Sequence, residues 1–185
     1  MRVTEHKLSG VKIIEPKIFA DERGFFLENF RAERYHDIGI NQPFIQDSIS
    51  RSKQGTLRGL HYQLKHPQAK LLTVLRGEVF DVFADIRKGS PTFGKWGSVI
   101  LSDTNHHQLY IPAGFAHGFY ALSEFVDFYY KCTNCYHPED EFGIAWDDPN
   151  IAIEWPKLDT PILLSPKDKK NPRLSEIPIE FLPSI

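Results

Sequence analysis

A chain of 185 residues, 41% hydrophobic and 13% aromatic, is long enough to bury one sizeable core and short for two, so a single domain spanning 1–185 is expected. Its formal net charge of −2 provides no global field to attract nucleic acid or an anionic membrane, and no run approaches the roughly 20 apolar residues that a membrane span needs. Any anionic ligand must be held by a local cluster of basic groups, and the polar opening MRVTEHKLSGV, with no apolar segment, points to a soluble, cytoplasmic protein.

In chain order, VKIIEPKIF (11–19) reads as a strand interrupted at Pro16, suited to an edge or first position because proline cannot donate to a ladder. Asp21 to Gly24 supply turn chemistry, and Phe25 to Phe30 a second strand. Arg31 to Ile38 is the best helix candidate, closed by Gly39. From Phe44 onward short β-branched and aromatic runs recur between Gly, Pro, Asn and Asp signals: FIQDSIS, TLRGLHYQL, KLLTVLRGEVFDVFADI, KWGSVILS, HQLYIP, HGFYAL and FVDFYYKCT. This spacing predicts an all-β sandwich or barrel. Val79 to Ala84 is apolar on both faces, which suits a sandwich interior or a dimer interface. From Asp147 the recurring prolines (Pro149, Pro156, Pro161, Pro166, Pro172) predict an ordered surface wrap with short helical turns.

Chemistry concentrates between Gly55 and Gly77, where Arg58, His61, Gln63 and Lys70 project from consecutive strands. The stretch resembles the first motif of the cupin jelly roll, a double-stranded β-helix. Gly55 precedes His61, and Gly77 follows Lys70, at that motif's spacings. Gln63 and Lys70 stand where a second His and a Glu belong, and the second motif appears as Pro112, Gly114 and His117. A metal cupin needs three or four converging ligands, whereas an ammonium offers no lone pair and repels a divalent cation, so no metal is expected. An imidazole, a lysine and an arginine in one cup suit proton abstraction beside a carbonyl. His61 is then the base, and Lys70 the fixed charge that meets the enolate. A carboxylate should hold the tautomer of His61, and Asp168, Asp81 and Asp85 are all candidates. His6, His36, His66, His106, His107 and His137 read as surface groups, and Cys132 and Cys135, with no second CxxC, as two reduced thiols.

Taken together, the blocks DERGFFLE, FIQDSISRS, LRGLHYQ, PQAKLLTVLRGEVFDVFADIRKGSPTFGKWGSVILS, QLYIPAGFAHGF, YKCTNCYHPEDEFGIAWDDPNIAIEWP and LSPKD resemble the nucleotide-sugar 3,5-epimerase family, in the family's order from about Asp21 to Asp168. The resemblance implies a dimeric jelly roll with short helical segments near its termini, and neither metal nor organic cofactor. It implies inversion at C3 and C5 of dTDP-4-dehydro-6-deoxy-D-glucose, the carbons flanking the ketone. It implies further that His61 is the proton acceptor with Asp168 as its partner, that Lys70 stabilises the enolate, and that Tyr130 is the proton donor. Arg23 and Glu28 match nucleotide contacts that can come from a partner subunit. Gln46, Ser48 and Arg58 match groups around diphosphate and sugar, His117 a sugar-pocket histidine, Tyr136 an aromatic stacking on thymine, and Glu141 and Lys167 further binding positions. The chain departs from the family pattern at Ser48, usually Asn, and in KCTNCY, usually KTTxYY, which touches nucleotide binding and not the acid, base or lysine. Rival readings are an epimerase of one carbon or of another 4-keto sugar nucleotide, a keto-isomerase of the same fold, and a jelly roll that binds a sugar nucleotide without turning it over.

Overall fold

The computed structural model describes residues 1–185. Thirteen strands form two antiparallel sheets and a ribbon. In the six-stranded sheet the order is β1 (Arg2–Glu5), β2 (Lys12–Glu15), β10 (Gln108–Ile111), β7 (Lys70–Arg76), β12 (Phe125–Cys132), β5 (Gln46–Lys53). In the five-stranded sheet it is β13 (Glu141–Gly143), β6 (Leu57–Gln63), β11 (Phe115–Ala121), β8 (Glu78–Asp85), β9 (Trp96–Ser102). The ribbon pairs β3 (Ile18–Asp21) with β4 (Gly24–Leu27). This is the cupin-type jelly roll that the sequence predicts, and no helix is long and apolar enough to cross a membrane.

Period-2 alternation assigns each face of each sheet its task. Between the sheets, Leu72, Val74, Val126 and Phe128 of one meet Val79, Phe83, Leu101, Phe115 and Phe119 of the other in a single core. The outer face of the five-stranded sheet, with Leu60, Tyr62, Val82 and Ala84, is roofed by the tail residues Ile151, Leu174 and Leu182, joined by Trp155 and Ile177. That roof is why β8 is apolar on both sides: the second face packs against the chain's own C-terminus. The outer face of the six-stranded sheet is covered in part by α1 (Ala32–His36), whose Tyr35 packs with Ile14, Ile40, Leu71 and Tyr110.

Several expectations are corrected. The helix is two residues shorter at its C-terminal end than predicted, and begins one later, because Arg31 offers no side-chain cap; Gly39, at φ +82°, turns the chain after it. The strand from Phe25 stops at Leu27, since Phe30 turns inward against Tyr35 and Phe44. Strands β1 and β13 are additions, each a short partner to a stronger strand. Of the six histidines read as surface groups, only His36 is fully exposed. His6 stands edge-on to Phe83, His106 lies against Phe25, and His66 stacks on His137 at 3.8 Å while bonding Asp140. Imidazole edges and faces pack as aromatics do, which a count of polar residues overlooks. His107 is half-buried. Cys132 is buried and Cys135 exposed, and both are free thiols.

One close approach shapes the site. Strands β6 and β11 meet at Gly59 and Gly118, where a Cβ on Gly59 would lie 2.6 Å from both the Gly118 Cα and the His117 carbonyl oxygen. The register shifts here between His117 and Phe119. Gly59 also holds φ +109°, a region that side chains rarely tolerate, so only glycine satisfies both demands.

Candidate active site

Between the two sheets, bordered by Phe119 and Phe128 of the core, lies a cleft of about 630 Å³. Ten of the sequence-predicted residues line it: Gln46, Ser48, Arg58, His61, Lys70, His117, Tyr130, Tyr136, Glu141 and Asp168. They arrive from both sheets and the tail. Arg58, His61 and His117 come from the five-stranded sheet; Gln46, Ser48, Lys70 and Tyr130 from the six-stranded sheet.

His61 is fixed from behind. Its Nε2 lies 2.5 Å from Asp168 Oδ1, across 107 residues of sequence. The tail delivers Asp168 by zipping alongside the start of β6, through Leu163 N–H to the Gly55 carbonyl (2.7 Å) and Leu57 N–H to the Leu163 carbonyl (3.0 Å). Ser165 Oγ then donates to Asp168 Oδ2 at 2.7 Å. Burial pushes the Asp168 carboxyl up, but the hydrogen bonds from His61 and Ser165 outweigh it and hold the group below its ordinary value, as a carboxylate. A carboxylate accepts only, so His61 carries its proton on Nε2 and keeps the Nδ1 lone pair for a ligand. Nδ1 is 3.6 Å from Glu141 Oε1. The other oxygen of Glu141 accepts from Tyr136 OH at 3.0 Å and from the Lys167 ammonium. Burial raises the Glu141 carboxyl, and Lys167 and His61 together bring it below its usual range.

Of the three carboxylates left open by the sequence, each has a distinct post. Asp81 lies fully buried on β8 and takes His117 Nε2 at 2.9 and 3.1 Å. Asp85 ties Arg87, Ser90 and Thr92 into a turn, whose hydrogen bonds overcome burial and bring it to about 2.

Tyr130 enters from the opposite sheet. Burial pushes its phenol above the ordinary value, aided by Cys132 and Glu141 and opposed by Arg58 and Ser48, so it is protonated at neutral pH. Lys70, half-buried, forms no salt bridge or hydrogen bond within the chain. Arg58 likewise meets no carboxylate; its Nε donates to Ser52 Oγ at 3.1 Å and one Nη to the Arg51 carbonyl at 3.3 Å. Two cations with no carboxylate partner at one cleft fit an anionic ligand. Gln46 Oε1 accepts from the Tyr136 backbone N–H at 2.7 Å, which sets the exposed Tyr136 ring at the mouth.

Two expected residues stay away from the cleft of their own chain. Arg23 pairs with Asp21 at 2.5 Å at the tip of the β3–β4 ribbon, 85% exposed. Glu28 pairs with Arg34 at 2.9 Å and Arg31 at 3.3 Å. Lys167 reaches the rim only through Glu141. Gln63, read with Arg58, His61 and Lys70 in the sequence, also lines the cleft, whereas the apolar wall of Leu57, Phe119, Phe128, Leu163 and Leu164, with Ser50 and Gln68, escaped the sequence reading, as did the support given by Ser165. The inward row Gln46, Ser48, Ser50, Ser52 had a signal in its period of two, masked because the outward row Asp47, Ile49, Arg51 is also mostly polar.

The model of the dTDP-4-dehydrorhamnose 3,5-epimerase family matches residues 5–176. The dTDP-4-dehydrorhamnose 3,5-epimerase of Escherichia coli strain K12 is 48% identical over 179 residues, 96% of each chain. Among solved structures, the dTDP-6-deoxy-D-glucose-3,5-epimerase RmlC from Legionella pneumophila Philadelphia 1, in complex with dTDP-4-keto-L-rhamnose, is 55% identical with a TM-score of 0.97, covering 100% of this chain and 98% of its own. A 3'-monoepimerase from Streptomyces bikiniensis, in complex with dTDP-quinovose, is 33% identical with a TM-score of 0.91, covering 97% of this chain and 91% of its own.

Proposed function

The chain belongs to the dTDP-4-dehydrorhamnose 3,5-epimerase family, and from that membership we propose how its residues divide the reaction. The reaction is epimerisation of dTDP-4-dehydro-6-deoxy-D-glucose at C3 and C5 to dTDP-4-dehydro-L-rhamnose. The C4 ketone acidifies both neighbouring C–H bonds, so each inversion is an abstraction, an enolate and a reprotonation from the other face. His61 Nδ1 takes the proton while Asp168 steadies the resulting imidazolium. The Lys70 ammonium, free of internal partners, meets the enolate oxygen. Tyr130 returns a proton. Arg58, Gln46 and Ser48 hold diphosphate and sugar, His117 the sugar, Tyr136 the thymine face, with Glu141 and Lys167 beside it.

The observation that carries this division is that His61 and Tyr130 line one cleft from opposite sheets. Inversion needs base and acid on opposite faces of one carbon, and a sandwich cleft supplies two walls. The test is proton exchange in deuterated water with the 4-keto substrate, followed by NMR, with a ketoreductase added to trap the product. Loss of both the C3 and C5 proton signals, with a rhamnose nucleotide trapped, is the expected result; no exchange at either carbon, with the nucleotide still bound, overturns it. Exchange at one carbon would favour the second reading, a mono-epimerase, which the likeness to the Streptomyces 3'-monoepimerase supports.

The protein acts in this reading as a cytoplasmic homodimer. Its β3–β4 ribbon exposes Phe19, Phe25 and Phe26, and the six-stranded sheet exposes Ile49 on its edge strand and Leu75 on β7, more apolar surface than an isolated subunit normally leaves in water. A partner taking up that ribbon would give Arg23 and Glu28 a cleft to reach. Sedimentation should return twice the 21.4 kDa chain mass, and a monomer mass would remove this part of the proposal.

A further inference from the structure

Two histidine–carboxylate pairs stand at the same cleft, and of their two carboxylates only Asp168 has been given a task. His61 and His117 are register partners on β6 and β11, and each commits Nε2 to its own aspartate, Asp168 and Asp81. Asp81 is 0% exposed, and its inward neighbours on β8 are Val79 and Phe83. Both its oxygens lie within hydrogen-bond distance of His117 Nε2, and no other group in the chain bonds them. A carboxylate placed so deep in apolar surroundings is costly to keep, and packing alone would be met better by an aliphatic residue. What the arrangement secures is the state of His117. That ring is 9% exposed and lines the cleft with Lys70, and its Nδ1 has no partner within the chain. Burial raises the Asp81 carboxyl, and the His117 ring and the Lys70 charge oppose that rise; in its carboxylate form the group can only accept, which puts the ring proton on Nε2 and leaves Nδ1 as an acceptor.

We propose that Asp81 is a positioning residue of the epimerase: it locks His117 in the Nε2–H tautomer, so that Nδ1 accepts a hydrogen bond from a sugar hydroxyl and fixes the ring between His61 and Tyr130. This rests on the reaction proposed above. The effect falls on turnover of the sugar and spares the nucleotide, which Asp81 and His117 do not meet. In Asp81→Asn an amide can donate to Nε2 instead, shifting the ring to the other tautomer and presenting Nδ1–H where an acceptor is needed.

The experiment is a double-mutant cycle of Asp81→Asn and His117→Gln, reading kcat, KM, dTDP affinity and proton exchange, with the wild-type exchange as reference. Asp81→Asn should lower kcat by about 10- to 100-fold and leave dTDP affinity within about threefold; added to His117→Gln it should cost less than about twofold more, because it acts only through that ring. A kcat within about threefold of wild type, or an equal loss in both backgrounds, overturns the proposal. Nitrogen NMR of the His117 ring in the wild-type protein decides the case even if Asp81→Asn does not fold: Nε2 should carry the proton and Nδ1 should not, and the reverse tautomer overturns the proposal. Absence of exchange in the wild type would instead refute the reaction itself, leaving the ring's tautomer to judge the role of Asp81.

Discussion

His61→Ala is expected to remove proton exchange at both C3 and C5 while dTDP still binds. General-base catalysis contributes about 10²- to 10⁴-fold, and here no second group stands ready to replace it. The Nδ1 of His117 also faces the cleft, but in this reading a sugar hydroxyl takes it up, and Lys70 serves the enolate oxygen. We expect a loss of about 10³-fold or more in kcat, with dTDP affinity unchanged within about threefold. Isothermal titration with dTDP and the NMR exchange assay measure the two quantities independently. Residual exchange within about tenfold of wild type would mean that another group is the base.

Tyr130→Phe should behave differently, and the contrast is the stronger test. Removing the phenol leaves His61, Asp168 and Lys70 in place, so abstraction and the enolate survive. The proton then returns from the base to the face it left. Deuterium should enter C3 and C5 of the starting sugar with its configuration retained, while trapped rhamnose nucleotide falls by about 10²-fold or more. In the wild type the raised phenol also places any loss of its donating form above pH 10, the ordinary value for tyrosine. A Tyr130→Phe protein that still yields product at the wild-type rate would show that the acid is another group.

The sequence made the chemistry more legible than its support. Gly55, Gly77, Pro112 and Gly114 keep motif spacings because they sit at turns between strands, where local geometry demands particular residues, and His61 and His117 because they face each other across paired strands. The strands were legible for the same reason, since Gly, Pro and Asn punctuate β-branched runs. Pairing between distant side chains was not. The three aspartates Asp81, Asp85 and Asp168 are alike in their local sequence; the resemblance alone singled out Asp168 for His61, and the fold gives Asp81 to the second imidazole and Asp85 to a turn. The two apolar faces of β8 were visible, but the cover that requires them lies some ninety residues away, in a proline-rich tail with no periodicity to announce it. Arg23 and Glu28 came forward by resemblance alone, and within one chain they bond only to their neighbours.

The wrap that roofs the five-stranded sheet also carries Asp168, and this joins two properties that are usually separate. The tail is held by scattered contacts such as Trp155 Nε1 to the Trp146 carbonyl (2.8 Å), Lys88 N–H to the Pro183 carbonyl (2.8 Å) and Tyr62 OH to the Phe181 carbonyl (2.9 Å), with no continuous ladder. Segments of that kind open at lower free energy than the strands beneath them. Each opening withdraws the carboxylate from His61 while the sandwich stays folded. Activity is therefore expected to fall on heating before the strands unfold, and a ligand bound in the cleft to protect about the last forty residues from proteases; activity and circular dichroism followed on one temperature ramp check the first.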